Sequence, residues 1–347
     1  MKFDIIIGNP PYQLSDGGAQ ASAKPLYHLF IENAIQLSPK YISMIIPSRW
    51  TLGGKGLDQF RNNMLKDTSL RILHDFIDSK ECFPNNDIKG GVCYFLWDRD
   101  NKGNCSIFTH KSDGNVDEST RPLLEDGMDT FIRREEQLSI LKKIKKFNES
   151  SFISMVCPND VFGFDVRVEN SMKRIKPVFK LHPFSNSYAF YYYGWLREGV
   201  GYVNSNLVRK GYEYIDKWKV YISRAYGAGE EYPHQILNTP FLGIPNSVCT
   251  ETYTLIGPYD TREEAINVIS YIKTKFFRFM VALLKNTQSA SQRVFTHVPI
   301  QDFSKEWTDQ LLYAKYELNN DEIEFIESMI RPMGDPSEER TGDEDDE

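Results

Sequence analysis

Two rhythms alternate along the first hundred positions. Phe3-Asp4-Ile5-Ile6-Ile7 is a short apolar run of the kind a buried strand shows, and Pro25–Leu37 places Leu26, Leu29, Phe30, Asn33 and Leu37 on or near one helical face. Tyr41–Ile46 predicts a second strand, ending at Pro47-Ser48-Arg49-Trp50. Leu57–Leu65 predicts a helix and Arg71–Ile77 a strand. Gly91–Trp97 and Cys105–Thr109 read as an antiparallel pair joined by the turn Asp98–Gly103. Alternation of this kind predicts an α/β fold whose sheet is mostly parallel, with an antiparallel edge.

The rhythm then changes. Residues 112–130 are polar and turn-rich, a domain boundary by composition, and Arg133–Lys146 is a charged amphipathic helix. Residues 151–250 are rich in Tyr, Gly, Pro, Lys and Arg; Tyr188–Trp195 and Lys219–Tyr226 are aromatic, β-prone stretches. Helical spacing returns at Arg262–Leu284, Trp307–Tyr316 and Asp321–Ile330. The organisation expected is residues 1–130, then an α+β unit over 131–334 with a helical end, then an acidic, disordered tail over 335–347.

Composition narrows the class. At 347 residues with 41% apolar content, the chain holds about two core-forming domains. No apolar run reaches the length of a membrane span. Five cysteines without a CxxC pair, and no export signal, predict reduced thiols in the cytoplasm. The six histidines lack paired ligand spacing, so no metal site is expected. The net charge of -7 resides in the tail, which has eight acids and one base. The rest carries 40 of each sign, and Lys173 to Arg224 holds ten bases against three acids. That local excess is what a polyanion would meet, because screening confines charge to about 10 Å.

The most specific chemistry is Asn9-Pro10-Pro11-Tyr12, directly after the first strand. The Asn9 side-chain oxygen can accept one hydrogen of an exocyclic amine, and the Pro10 carbonyl the other. Pro10 and Pro11 fix the backbone so that the two acceptors converge, and Tyr12 offers a ring on which a base can stack. Other candidates are weaker. Asp75, Asp78 and Glu81 beside Lys80 read as sheet-end or loop charges, Ser48 and Ser223 have no evident base partner, and Glu135 and Glu136 read as a solvated helix face. Gly53-Gly54-Lys55-Gly56 lacks phosphate-loop spacing and reads as a loop.

With these residues the chain resembles the gamma-class N6-adenine-specific DNA methyltransferases, including those of type II restriction-modification systems. The resemblance rests on Asn9-Pro10-Pro11-Tyr12, the helix after it, the strand ending in Pro47-Ser48-Arg49, and Phe83-Pro84 ahead of Gly91–Trp97. It implies a partial Rossmann-like methyltransferase sheet over residues 1–130, followed by a target-recognition domain. It also implies that Tyr12 and Phe83 stack on a flipped adenine. Extruding a base costs a few kcal/mol, offset by phosphate contacts and by stacking of about 1–3 kcal/mol per base. Candidate contacts to double-stranded DNA are Lys173, Arg174, Lys176, Arg197, Arg209, Lys210, Lys217, Lys219 and Arg224. In the family, the glycine-rich turn that holds S-adenosylmethionine precedes the Asn-Pro-Pro-Tyr strand, and only eight residues precede Asn9 here. The resemblance therefore implies a cofactor half supplied by a second chain or by a missing N-terminal part. A non-catalytic DNA-binding specificity subunit and a restriction subunit are the alternatives.

Overall fold

Alternation of buried and open side chains builds the first sheet. The computed structural model describes residues 3–14, 24–52, 56–86, 88, 90–111, 114–128, 130–165, 179–227, 233–285 and 288–334. The acidic tail, Gly53–Lys55 and the basic residues Lys173, Arg174 and Lys176 lie outside the described residues. The chain forms two compact units, Met1–Leu138 and Ser139–Glu347.

The first unit runs β1 (Ile5–Gly8), α1 (Tyr27–Gln36), β2 (Tyr41–Pro47), α2 (Asp58–Lys66), β3 (Leu70–Phe76), β4 (Val92–Asp98), β5 (Cys105–His110) and β6 (Val116–Arg121), and ends within α3 (Glu135–Lys145). Its six strands form one mixed sheet in the order β1-β2-β4-β3-β5-β6. β1 pairs parallel with β2 and β3 with β5, whereas β4 is antiparallel to both β2 and β3, and β6 is antiparallel to β5.

Two expectations are corrected here. Four strands, β1, β2, β3 and β5, run the same way as expected, but an antiparallel strand sits in the middle of the sheet as well as at its edge. In addition, β4 and β5 do not pair, because β3 lies between them. The turn expected to fold β4 back instead crosses the start of β3. The Asp98 and Gly103 N–H groups donate to the carbonyls of Ser69 and Thr68. Gly103 has φ of 153°, and a Cβ there would meet Arg71 Nη1 at 2.3 Å. β6 was hidden in the polar stretch taken as a boundary. As an edge strand with mostly open side chains, it carries little apolar signal.

α1 and α2 cover one face of this sheet. Tyr27, Phe60 and Trp50 meet edge to face there, with ring centroids 6.0–6.3 Å apart, and Trp50 is fully buried. On β3, β4 and β5 the alternate positions His74, Phe76, Tyr94, Phe108 and His110 are partly open. His74 stacks between Tyr94 and Phe108, with centroids 4.5 and 4.4 Å away, and its Nδ1 lies 3.1 Å from His110 Nε2.

In the second unit β7 (Ser187–Tyr191), β8 (Gly201–Asn204), β9 (Trp218–Ser223), β10 (Phe241–Gly243), β11 (Ser247–Cys249) and β12 (Tyr253–Tyr259) form two three-stranded sheets, β11-β7-β8 and β10-β9-β12. Among the described residues four helices follow: α4 (Arg262–Lys273), α5 (Lys275–Ala282), α6 (Asp309–Lys315) and α7 (Asn320–Met329). The expected single helix over Arg262–Leu284 is broken at Thr274. That residue leaves helical geometry and caps α5, its hydroxyl accepting from the Phe277 N–H at 3.1 Å. α5 is buried over most of its surface, with Phe276, Phe277, Phe279, Met280 and Val281 fully buried and Arg278 buried among them.

Candidate active site

Parallel pairing brings the C-terminal ends of β1 and β2 to the same edge of the sheet, where β3 and β5 also end and β4 begins. Asn9-Pro10-Pro11-Tyr12 leaves β1 at this edge. Asn9 and Pro11 are exposed, Pro10 is buried and Tyr12 is half-buried. The segment is held by backbone bonds: the Leu26 N–H donates to the Tyr12 carbonyl and the Leu14 N–H to the Lys24 carbonyl, each at 3.0 Å.

The Tyr12 hydroxyl is buried and has no hydrogen-bond partner among the described residues. Burial, then the neighbouring Cys93 and Cys82 thiols, push its pKa up to about 12, so it stays a neutral donor at physiological pH. Cys82 directly precedes Phe83, the second candidate stacking ring. Phe83 is half-buried in a loop organised by Ser79. The Phe83 N–H donates to the Ser79 carbonyl at 2.8 Å, and the Ser79 hydroxyl accepts from the Ile88 N–H at 2.8 Å.

Beneath this rim lies a buried ionic network. Asp75, 1% exposed, accepts from Ser48 Oγ at 2.6 Å and from Arg133 through both Nε and Nη2, the latter at 2.7 Å. Arg133 Nη1 donates to the Gly90 carbonyl at 2.9 Å. Burial opposes the guanidinium's charge, but the Asp75 carboxylate outweighs it and leaves the Arg133 pKa raised. Two readings are corrected by this. Asp75 is no loose sheet-end charge, and Ser48 does have an acidic partner. Glu135 and Glu136 are not simply solvated either: they pair with Arg121 Nε at 2.7 Å and Lys111 Nζ at 2.9 Å. The signal that could have found the network is an aspartate inside the apolar run of β3.

Residues 1–83 match the Eco57I restriction-modification methylase family. The match covers β1, the Asn-Pro-Pro-Tyr segment, β2, β3 and Phe83. The chain is also 38% identical over 151 residues to an uncharacterized adenine-specific methylase of Mycoplasma pneumoniae (strain ATCC 29342 / M129 / Subtype 1), over 42% of this chain and 35% of that protein. It therefore spans about a third of that relative's length. Among solved structures it is similar to the type IIG restriction endonuclease BpuSI, with TM-score 0.35 and 10% identity over 88% of this chain and 44% of that one. It is also similar to the type IIL restriction-modification enzyme MmeI in complex with DNA, with TM-score 0.43 and 10% identity over 84% and 45%.

Outside residues 1–83, the basic candidates separate by environment. Arg197, Arg209, Lys210 and Lys217 are exposed. Lys210 lies 3.2 Å from Asp160 and Lys217 2.5 Å from Asp260. Exposed rings, Tyr193 and Tyr212, occur in the same part of the chain. Arg224 is half-buried, its Nε 3.4 Å from Ser289 Oγ. Lys219 is corrected: it is fully buried, and its ammonium donates to the carbonyls of Tyr214, Ile215, Lys217 and Ile244 at 2.9–3.1 Å. With its head group enclosed by backbone, it cannot reach a phosphate.

Among the described residues, no group of three or more His, Cys, Asp or Glu is placed to hold a metal ion, and no helix is long and apolar enough to cross a membrane.

Proposed function

We propose that this chain is the base-binding and target-recognition part of a site-specific N6-adenine DNA methyltransferase of the restriction-modification type. The observation that supports this reading is that Asn9-Pro10-Pro11-Tyr12 follows β1 at the C-terminal edge of the sheet, within a segment that matches a methylase family. The name of the 38%-identical relative supports adenine as the target base. Asn9 and the Pro10 carbonyl would accept the two hydrogens of adenine N6 and hold its lone pair towards the methyl donor. Tyr12 and Phe83 would stack on the extruded ring. Two acceptors of this kind act without a strong base, so positioning is the catalytic contribution expected of these residues.

The methylase family implies S-adenosylmethionine, which supplies the methyl group when bound. The described residues fit the base side of such a site; the glycine-rich turn expected for the donor is not among them. Among the described residues β1 pairs only with β2, and Ile5 and Ile7 on β1 are 56% and 77% exposed. An open, apolar edge of this kind supports completion of the sheet by further strands, from a second chain or from more of the same polypeptide. Arg197, Arg209, Lys210, Lys217 and Arg224, with Lys173, Arg174 and Lys176, remain the proposed contacts to double-stranded DNA.

The test is methyl transfer from labelled S-adenosylmethionine to DNA by the chain co-expressed with the product of the reading frame immediately upstream. Labelled N6-methyladenine should appear in DNA digests and vanish in Asn9→Ala, while DNA affinity measured by anisotropy stays within about twofold, since phosphate contacts dominate it. Full activity in Asn9→Ala removes the assignment.

A further inference from the structure

The Ser48–Asp75–Arg133 network spends a buried charge pair at the rim of the sheet, where apolar packing would serve stability as well or better. What the network touches explains its place. Arg133 donates to the Gly90 carbonyl, and the Gly91 carbonyl accepts from the Ser48 N–H at 3.0 Å. The Gly91 N–H donates to the Ile88 carbonyl at 2.9 Å, and the Ile88 N–H to Ser79 Oγ, the residue whose carbonyl holds the Phe83 N–H. A path that alternates hydrogen bonds with covalent backbone links thus runs from Asp75 to the backbone of Phe83. Gly91 makes the approach possible: its φ is 82°, and a Cβ there would lie 2.1 Å from the Phe76 carbonyl oxygen and 3.0 Å from Arg133 Nη2. On the other side, Ser48 opens the turn that carries Trp50, whose indole N–H donates to the buried Cys93 Sγ at 3.4 Å, and the Cys93 thiol contributes to raising the Tyr12 pKa.

We propose that Asp75 and Arg133 are positioning residues of the base pocket, holding the Phe83 loop in register with Tyr12 through Gly90, Gly91 and Ser79. This rests on the base-binding reading above and goes beyond it by assigning a role to residues that touch no base. The bidentate pair is what makes the loop a fixed wall: an Arg–carboxylate fork restrains orientation as well as distance.

The experiment uses the full chain and 2-aminopurine deoxyriboside, whose fluorescence is quenched when it stacks between rings. Hydrogen exchange is read in parallel over residues 79–91 and over β2 and β4. Wild type should quench saturably. Asp75→Asn/Arg133→Gln, which removes both charges together and so leaves neither buried alone, should bind about tenfold more weakly, roughly the loss of one charge-assisted hydrogen bond. Its exchange should rise in residues 79–91 and stay unchanged in β2 and β4. Ser48→Ala, which leaves the ion pair in place, should show the same pattern more weakly and covers the case in which the double variant does not fold. Saturable quenching by wild type, with affinity and loop protection unchanged in the variants, overturns the positioning role. General loss of protection across the sheet in Ser48→Ala also overturns it, in favour of a purely structural network. No quenching by wild type defeats the base-binding reading itself, while unchanged exchange at 79–91 still decides against the positioning role.

Discussion

Replacing Lys219 by methionine gives a prediction whose size comes directly from the structure. The ammonium is enclosed, and four backbone carbonyls converge on it. Burial pushes its pKa from the ordinary 10.5 down to about 7, an effect to which Cys249 and Asp216 offer only partial opposition. In the unfolded chain the same lysine keeps its ordinary value. Between these two values the unfolded state holds more protons than the folded one, so stability rises with pH through that window. Integrated from pH 7 to pH 9, the lysine contributes a gain of about 2 kcal/mol, close to the limit of about 1.4 kcal/mol per pH unit. Methionine does not titrate, so Lys219→Met removes this gain, while every other titrating group stays common to both proteins. Urea unfolding of both proteins at pH 7, 8 and 9, with hydrogen exchange in β9 to localise the effect, measures the double difference. The stability of wild type relative to the variant should climb by about 2 kcal/mol over that range. Parallel curves would refute the reasoning, because they would mean that the carbonyl cage keeps the ammonium charged at all three pH values.

Two further outcomes follow from other parts of the chain. Thr261 and Glu264 form a reciprocal capping box at the start of α4, so Thr261→Ala should cost about 1 kcal/mol in urea unfolding, with Thr261→Ser restoring most of it; an unchanged midpoint removes the cap from the account. His74 has its pKa lowered by burial and by the adjacent His110, so the folded first unit takes up a proton later than the unfolded chain does as pH falls below the ordinary histidine range. Acidification from pH 7 to 5 should therefore increase hydrogen exchange in β3 and β5, and His110→Gln should flatten that dependence; identical profiles for the two proteins would show that the pair does not govern it.

The sequence by itself determined what depends on near neighbours along the chain. Side-chain alternation gave strands near β2 and β5, helical spacing gave α1 and α2, and turn chemistry marked the Asn9–Tyr12 segment at the end of the first strand. Periodicity reports which face a residue occupies but not which strand lies beside it. The insertion of β4 between β2 and β3, and the crossing of Asp98–Gly103 over the start of β3, were therefore decided only when the sheet assembled. Charge is equally silent about burial. Lys219 looked like its basic neighbours, yet four carbonyls brought together by Tyr214–Lys217 and Ile244 give its side-chain nitrogen hydrogen-bond partners in the interior. Ser48, Asp75 and Arg133 are 27 and 58 positions apart in pairs, so no local pattern could join them. Tertiary packing did so, by bringing the ends of β2 and β3 to one edge with β4 between them and burying the Asp75 carboxylate where Ser48 and Arg133 both reach it.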